Sequence, residues 1–151
     1  MGKIIVFVVS LFAVLTIATP MNSQTDIKAL VERQAAAWEN QDVASLIGDF
    51  DDDAVFKAAN FTFNGVDGIK NAAENYFRDF TDTKVEIKRI IVEDNMGAVE
   101  WDWSDRNKKT GKPSAAEDAI IFELNDDGKI VYWREYIEKK KVKNKAASLQ
   151  P

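Results

Sequence analysis

The second half of the chain contains four segments in which apolar and polar residues alternate. They are rich in aromatic and β-branched side chains and span residues 85–93, 98–105, 114–124 and 129–137. Both features are typical of β-strands. The sequence Asn-Asp-Asp-Gly at residues 125–128 predicts a hairpin turn between the last two segments. The pattern therefore predicts a meander of antiparallel strands.

The first half of the chain shows mainly the three-to-four-residue apolar spacing of helices. It predicts helices over residues 25–41, 43–50 and 66–80, a short strand at 54–58 and a Phe-Thr-Phe alternation at 61–63. Helices followed by a run of antiparallel strands indicate an α+β fold.

The predicted hairpin brings acidic and aromatic side chains onto one face of the sheet. If its turn is symmetric, Asp118 lies directly opposite Glu135, and the preceding loop brings Trp101 near Asp118. Two carboxylates that face each other on a sheet repel. A stable fold then requires a shared proton, a cation, a counter-charge or open water. This row of residues is therefore the candidate site.

Asp118 and Glu135 are the candidate catalytic pair. Partial burial beside tryptophans would raise carboxylate pKa values, and two neighbouring carboxylates titrate as a coupled pair. Such a pair can act as a general acid or base near neutral pH. The alternative is a structural pair that is bridged by Arg78 or a lysine, or a rim that is open to water.

Three tryptophans accompany these carboxylates on the predicted strands. Trp101, Trp103 and Trp133 are candidate walls of a pocket for an apolar or cationic molecule, because aromatic faces beside acidic groups attract cations. No lysine or arginine lies on this predicted face within residues 98–137, which disfavours an anionic ligand. The alternative is that the tryptophans simply fill the core.

Composition narrows the chemistry that such a site can use. The 151 residues include no cysteine and no histidine, so acid–base catalysis depends on Asp, Glu, Tyr, Lys or water. We expect no metal and no cofactor. The chain has 20 basic and 25 acidic residues, a net charge of −5. An acidic chain argues against nucleic acid and anionic membranes as main partners.

The two ends of the chain differ from its body. Residues 1–23 combine Lys3 with a largely apolar run at residues 4–18, which predicts a cleaved secretory signal. The mature protein would then be secreted or periplasmic, without a membrane partner. Residues 139–151 hold five lysines and predict a flexible tail. The domain itself is predicted to span residues 24–138.

Several short motifs point to one superfamily. They are Trp38, Gln41-Asp42, Asp52-Asp53-Ala54, Gly65, Gly68-Ile69 and, most clearly, Asp127-Gly128-Lys129-Ile130-Val131 with Trp133-Arg134-Glu135-Tyr136. With these motifs, residues 25–137 resemble the nuclear transport factor 2-like superfamily, particularly its SnoaL-like (polyketide-cyclase-like) branch.

This resemblance implies a cone-shaped fold. A curved antiparallel sheet, or cystatin-like roll, would wrap around the N-terminal helices and leave a pocket at the open end. The resemblance directs Ile120, Trp133 and Glu135 toward that pocket, and it implies a homodimer formed through the outer face of the sheet. Tyr76 and Gln34 are candidate polar donors from the helices.

The catalytic residues of known family members do not carry over. The general-base aspartate of ketosteroid-isomerase-like members aligns with Ala58, and their oxyanion-hole tyrosine aligns with Gln34. The aspartate–histidine pair of SnoaL-like members aligns with Ile120 and Trp133. Ketosteroid isomerisation is therefore not expected, and a catalytic acid would be relocated to Asp118.

The sequence supports three functional hypotheses. The first is an exported SnoaL-like domain that binds a small, largely apolar molecule and acts on it by cofactor-free acid–base chemistry of the isomerase, cyclase or hydrolase type. The second is a binding module without catalysis. The third is a homodimeric structural or interaction domain that uses the outer face around Tyr132, Arg134 and Tyr136.

Overall fold

The computed structural model describes residues 23–142. Its elements are α1 (Ser23–Asn40), α2 (Val43–Gly48), β1 (Phe50–Ala58), β2 (Phe61–Asn64), α3 (Gly65–Asp79), β3 (Phe80–Glu93), β4 (Met96–Asn107), β5 (Pro113–Leu124) and β6 (Ile130–Lys139). This arrangement confirms the predicted α+β class. The predicted signal segment, apart from Ser23, and tail residues 143–151 lie outside the described residues.

Within the described residues, six strands form one curved, open sheet in the order β2-β1-β6-β5-β4-β3. All neighbouring strands run antiparallel except β1 and β6, which are parallel. The predicted meander did not include this parallel pair. The reason is that alternation identifies a strand but carries no information about which distant strand lies beside it.

Several element boundaries differ from those predicted: β1 begins four residues earlier than expected, and β3 begins at Phe80, which was expected to end the third helix. Phe50, expected as the last residue of the second helix, is the first residue of β1. Its ring is buried in either case, so burial alone does not distinguish the two assignments. Lys139 is the last residue of β6 rather than the first residue of a tail. The start of α2 agrees with the prediction, because the Asp42 side chain accepts the N–H of Ser45 at 3.0 Å.

The helices pack against the inner face of the sheet and close one hydrophobic core. Trp38 of α1 stands edge-on to Tyr76 and Phe77 of α3 and to Trp103 of β4, with ring centroids 5.4–5.6 Å apart. This aromatic junction fixes Tyr76 and Trp103 where the helices meet the sheet. Within residues 23–142 no helix has the length and apolarity needed to cross a bilayer.

Candidate functional site

The pairing of β5 with β6 differs from the predicted register by two residues. Asp118 lies opposite Ile137, and Glu135 lies opposite Ile120, so the prediction that Asp118 faces Glu135 is wrong. A shift of two residues keeps every side chain on its predicted face. The two carboxylates are therefore diagonal neighbours on the inner face, a Cα separation of about 7–8 Å in sheets generally.

The turn accounts for this shift. Asn125 pairs with Lys129 through a 2.9 Å backbone hydrogen bond, and Leu124 pairs with Ile130, which adds one residue to the symmetric turn. A shift in the strand pairing between Glu123 and Leu124 adds the second residue. By contrast, Trp101 lies directly opposite Asp118 in the β4–β5 pair, as predicted.

Each carboxylate of the pair is held by an indole N–H. Trp101 Nε1 donates to Asp118 Oδ2 at 3.2 Å, and Trp133 Nε1 donates to Glu135 Oε1 at 3.0 Å. Both indoles are fully buried, so their N–H groups are fixed in place. Only 5% of Asp118 is exposed, and its Oδ1 atom has no hydrogen-bond partner among residues 23–142. Asp118 therefore keeps one open acceptor in a desolvated position.

Burial raises both carboxylate pKa values. Loss of solvent raises the pKa of Asp118 to about 6, although the Trp101 N–H opposes the shift. Desolvation, together with the charge of Asp118, raises the pKa of Glu135 to about 8, and the Trp133 N–H again acts in the opposite direction. At neutral pH the pair therefore holds one proton, and the larger rise in pKa favours Glu135 as its carrier.

A second acidic cluster was missed by the sequence analysis. Asp105 Oδ2 accepts the Tyr76 hydroxyl at 2.8 Å and Trp103 Nε1 at 3.2 Å, while Oδ1 accepts the Ser114 hydroxyl. Burial raises the pKa of the Tyr76 hydroxyl, so Tyr76 remains a donor. The signal for Asp105 was present, because it continues the period-two series of Trp101 and Trp103 on β4.

A cavity of about 560 Å³ lies between the helices and the sheet. Its aromatic lining comprises Trp38, Phe56, Phe61, Phe63, Tyr76, Phe80 and Trp103. Its acidic lining comprises Asp105, Asp118 and Glu135. The basic residues that line it are Lys139 and Lys140, where β6 ends. The cavity thus combines apolar walls with carboxylates, as ligand sites commonly combine apolar walls with a few polar groups.

The structure brings together four of the eight residues proposed for the site. Asp118, Glu135, Trp103 and Tyr76 line the cavity. The other four do not: Trp101, Trp133, Ile120 and Gln34. All four are buried in the packed interior.

Three of these four buried residues, Trp101, Trp133 and Gln34, make structural hydrogen bonds instead. The indoles of Trp101 and Trp133 support the carboxylates from beneath rather than forming cavity wall. The Gln34 amide donates to the backbone oxygen of Leu46 at 2.9 Å and to Asp49 Oδ2 at 3.1 Å, so it joins α1 to the end of α2. The alternative in which Arg78 bridges the two carboxylates is not observed, since Arg78 bonds Asp79 and Asn75 on the surface.

Comparisons with known proteins identify the family and the fold. The sequence profile of the SnoaL-like domain matches residues 31–133. No curated protein matches the chain.

Several solved structures share the fold. A hypothetical protein from Catenulispora acidiphila with a ketosteroid isomerase-like fold, solved with trimethylamine, has a TM-score of 0.65 at 19% identity, covering 71% of this chain and 83% of that one. An LEH-like epoxide hydrolase from M. tuberculosis has a TM-score of 0.66 at 21% sequence identity. The match covers 76% of this chain and 84% of the hydrolase. A ketosteroid isomerase-like protein from Erwinia carotovora has a TM-score of 0.65 at 18% sequence identity. The match covers 81% of this chain and 99% of that protein. At these identities the likeness shows the fold alone.

Proposed function

Because the chain belongs to the SnoaL-like domain family, we propose that it binds a small apolar or cationic molecule in its cone and acts on it by acid–base chemistry. The reaction would be of the isomerase, cyclase or hydrolase type and would use no cofactor. The observation that carries this proposal is the Oδ1 atom of Asp118. Asp118 lines a cavity of about 560 Å³, and this oxygen is buried and lacks a partner within the described chain.

The two carboxylates have complementary roles in this proposal. Asp118, ionised at neutral pH, takes a proton from the ligand, or from an attacking water molecule in a hydrolase reaction. Glu135, still protonated at neutral pH, gives a proton to the product, and transfer of the proton from Asp118 to Glu135 then restores the pair for the next turnover. Neighbouring titratable groups whose pKa values are pushed apart commonly divide the acid and base roles in this way. The indoles of Trp101 and Trp133 act as positioning residues, since each fixes the orientation of one carboxylate.

Asp118→Asn tests the catalytic part of the proposal. We expect the wild-type protein to exchange the α-hydrogens of 2-tetralone with D₂O, or to open styrene oxide, and the variant to lose at least about 100-fold in rate because a positioned base contributes on this scale. NMR and product chromatography measure the two reactions.

A matched variant makes this test specific. Asp126→Asn makes the same chemical change at an exposed turn residue outside the cavity and should keep full activity. A rate equal to the uncatalysed one for both compounds would rule out the catalytic proposal as framed. If both compounds still bind saturably to Asp118→Asn without product from either protein, the domain is a binding module instead.

We also propose that the protein is exported and that it forms a homodimer through the outer face of its sheet. The sequence of residues 1–23 supports export. The outer face supports association because Ile91, Ile121 and Tyr136 are 57%, 41% and 52% exposed around a shallow hollow of about 820 Å³. The Arg134 guanidinium lies 4.9 Å from the centre of the Tyr136 ring, and its Nε atom is buried without a partner among residues 23–142.

Tyr136→Asp tests the homodimer. Replacing the Tyr136 ring with a carboxylate should convert the dimer to a monomer, because the contact loses an aromatic side chain and a new charge must be desolvated. Light scattering coupled to size-exclusion chromatography measures the mass. Val142→Asp, which places a charge at an exposed apolar residue beyond β6, should leave the dimer intact. A wild-type protein that is monomeric at 100 μM (about a hundred times a micromolar dissociation constant) would overturn the proposal.

A further inference from the structure

We propose that the ligand of the cavity is an organic ammonium ion that carries at least one N–H group, bound with that N–H on Asp118. In chemical terms it is a protonated primary, secondary or tertiary amine with apolar substituents. This inference rests on the proposed function, because it takes the cavity to be the ligand site, and it narrows the class of molecule that the site accepts.

The carboxylates of Asp105 and Asp118, which both line the cavity, differ in how many hydrogen-bond donors they receive from the protein. Asp105 already receives three donors, from Tyr76, Trp103 and Ser114, so its charge is largely compensated inside the protein. Asp118 receives one donor, from Trp101, and its second oxygen receives none among the described residues. A buried acceptor without a partner is costly. Asp118 is therefore the position at which a ligand N–H is most strongly favoured.

The charges that line the cavity favour a cation over an anion. Asp118 and Glu135 are diagonal neighbours, and no basic side chain hydrogen-bonds or ion-pairs with either of them in residues 23–142. The two lysines that line the cavity lie at the end of β6. One of them, Lys140, is held by Glu117 and lies 4.0 Å from Asp102. An anion would have to enter beside the uncompensated charge of Asp118.

The aromatic walls suit the substituents of such an ion. Ring faces attract cations as well as apolar groups, and the cavity presents the rings of Trp38, Tyr76 and Trp103 on one side and Phe56 and Phe63 on another. An alcohol of the same shape would satisfy the open oxygen of Asp118 but would leave the carboxylate charge uncompensated. A quaternary ammonium would compensate the charge but leave the oxygen without a donor. A protonated amine does both.

Calorimetric titration of the purified full chain with matched probes tests this inference. The probes are 2-phenylethylamine, its neutral analogue 2-phenylethanol, its quaternary analogue N,N,N-trimethyl-2-phenylethylammonium and the anion phenylacetate, all at pH 7.5. We expect the amine to bind at least tenfold more tightly than the alcohol and severalfold more tightly than the quaternary ion. Phenylacetate should not bind.

Substitution of the carboxylate locates the effect. Asp118→Asn should reduce amine affinity at least tenfold while the alcohol binds within about twofold of its wild-type affinity, so retained alcohol binding also shows that the variant is folded. Asp126→Asn, in the exposed turn, should leave all four affinities unchanged.

Each outcome separates this inference from the proposed function. Equal affinities for amine and alcohol, or an amine affinity that is unchanged in Asp118→Asn, would overturn the inference and leave a small-molecule site standing. No binding by any of the four probes would overturn both. Tighter binding of phenylacetate than of the amine would overturn the inference and assign the site to anions.

Discussion

Glu135→Gln is expected to make the protein more stable than the wild type at pH 9 and equally stable at pH 4. Glu135 has its pKa raised from 4.5 to about 8, chiefly by desolvation. Each pKa unit corresponds to about 1.4 kcal/mol, so the difference in free energy of unfolding is on the order of 5 kcal/mol at pH 9. Gln keeps an oxygen that can accept the Trp133 N–H but cannot acquire a charge.

The sign of this effect follows from proton binding. Between pH 4.5 and 8 the folded wild type holds a proton on Glu135 that the unfolded chain has lost. Stability therefore falls as the pH rises through this window. Asp118, with its pKa raised to about 6, also lowers the stability as the pH rises. This loss of stability is smaller and is complete at a lower pH than the loss due to Glu135.

Urea unfolding at pH 4, 6, 7.5 and 9 measures the difference. Glu138→Gln is the matched control, because it makes the same change at an exposed residue of the same strand. Its stability should follow that of the wild type at every pH. If Glu135→Gln also follows the wild type from pH 4 to 9, Glu135 is solvated and the proposed acid–base pair fails.

Gly97→Ala is expected to lower the free energy of unfolding by about 3 kcal/mol or more, at the upper end of what overpacking a core typically costs. Gly97 of β4 lies opposite Phe122 of β5. A Cβ atom at Gly97 would lie 2.3 Å from Cζ of the Phe122 ring and 2.7 Å from its Cε1. The ring cannot yield easily, because it is fully buried and stacks on Trp133 with centroids 5.2 Å apart.

Thermal and urea unfolding measure this loss, and Gly48→Ala is its control. A Cβ atom at Gly48 meets nothing within 4 Å, and this glycine ends α2, where alanine is the better helix former. Gly48→Ala should therefore keep or slightly raise the stability. Equal stability of Gly97→Ala and the wild type would show that β4 and β5 can separate here without cost.

The same substitution should disturb the candidate site from a distance. Trp133, on which Phe122 stacks, donates its indole N–H to Glu135. If Phe122 is displaced, the hydrogen bond that favours the ionised form of Glu135 weakens. The packing beneath the site and the ionisation of the site are therefore linked through one indole.

Local pattern was sufficient for most of the fold. The alternation of apolar and polar residues located β3 to β6, and the cap at Asp42 located the start of α2. It also assigned Asp118, Glu135 and Trp103 to the inner face correctly. Side chains of a strand alternate between faces every two residues, so a register error of two residues leaves each side chain on the same face. Composition had limited any acid–base chemistry to Asp, Glu, Tyr, Lys or water, since the chain has no histidine and no cysteine.

The exact partner of each residue could not be predicted in the same way. The β5–β6 connection contains two extra residues relative to a symmetric turn. As a result, Ile137 and not Glu135 lies opposite Asp118. Each extra residue is a small local change in backbone geometry that the alternation pattern does not record.

The sequence by itself determined the classes of element, the family resemblance and the faces on which the acidic and aromatic residues lie. Only the tertiary structure decided which of them border open space. It placed Trp101 and Trp133 beneath the carboxylates, removed Gln34 from the site, and brought Asp105 to Tyr76 across 29 positions of sequence. The physical reason is that periodicity specifies a side chain's direction, whereas burial, hydrogen-bond satisfaction and cavity shape depend on residues distant in the chain.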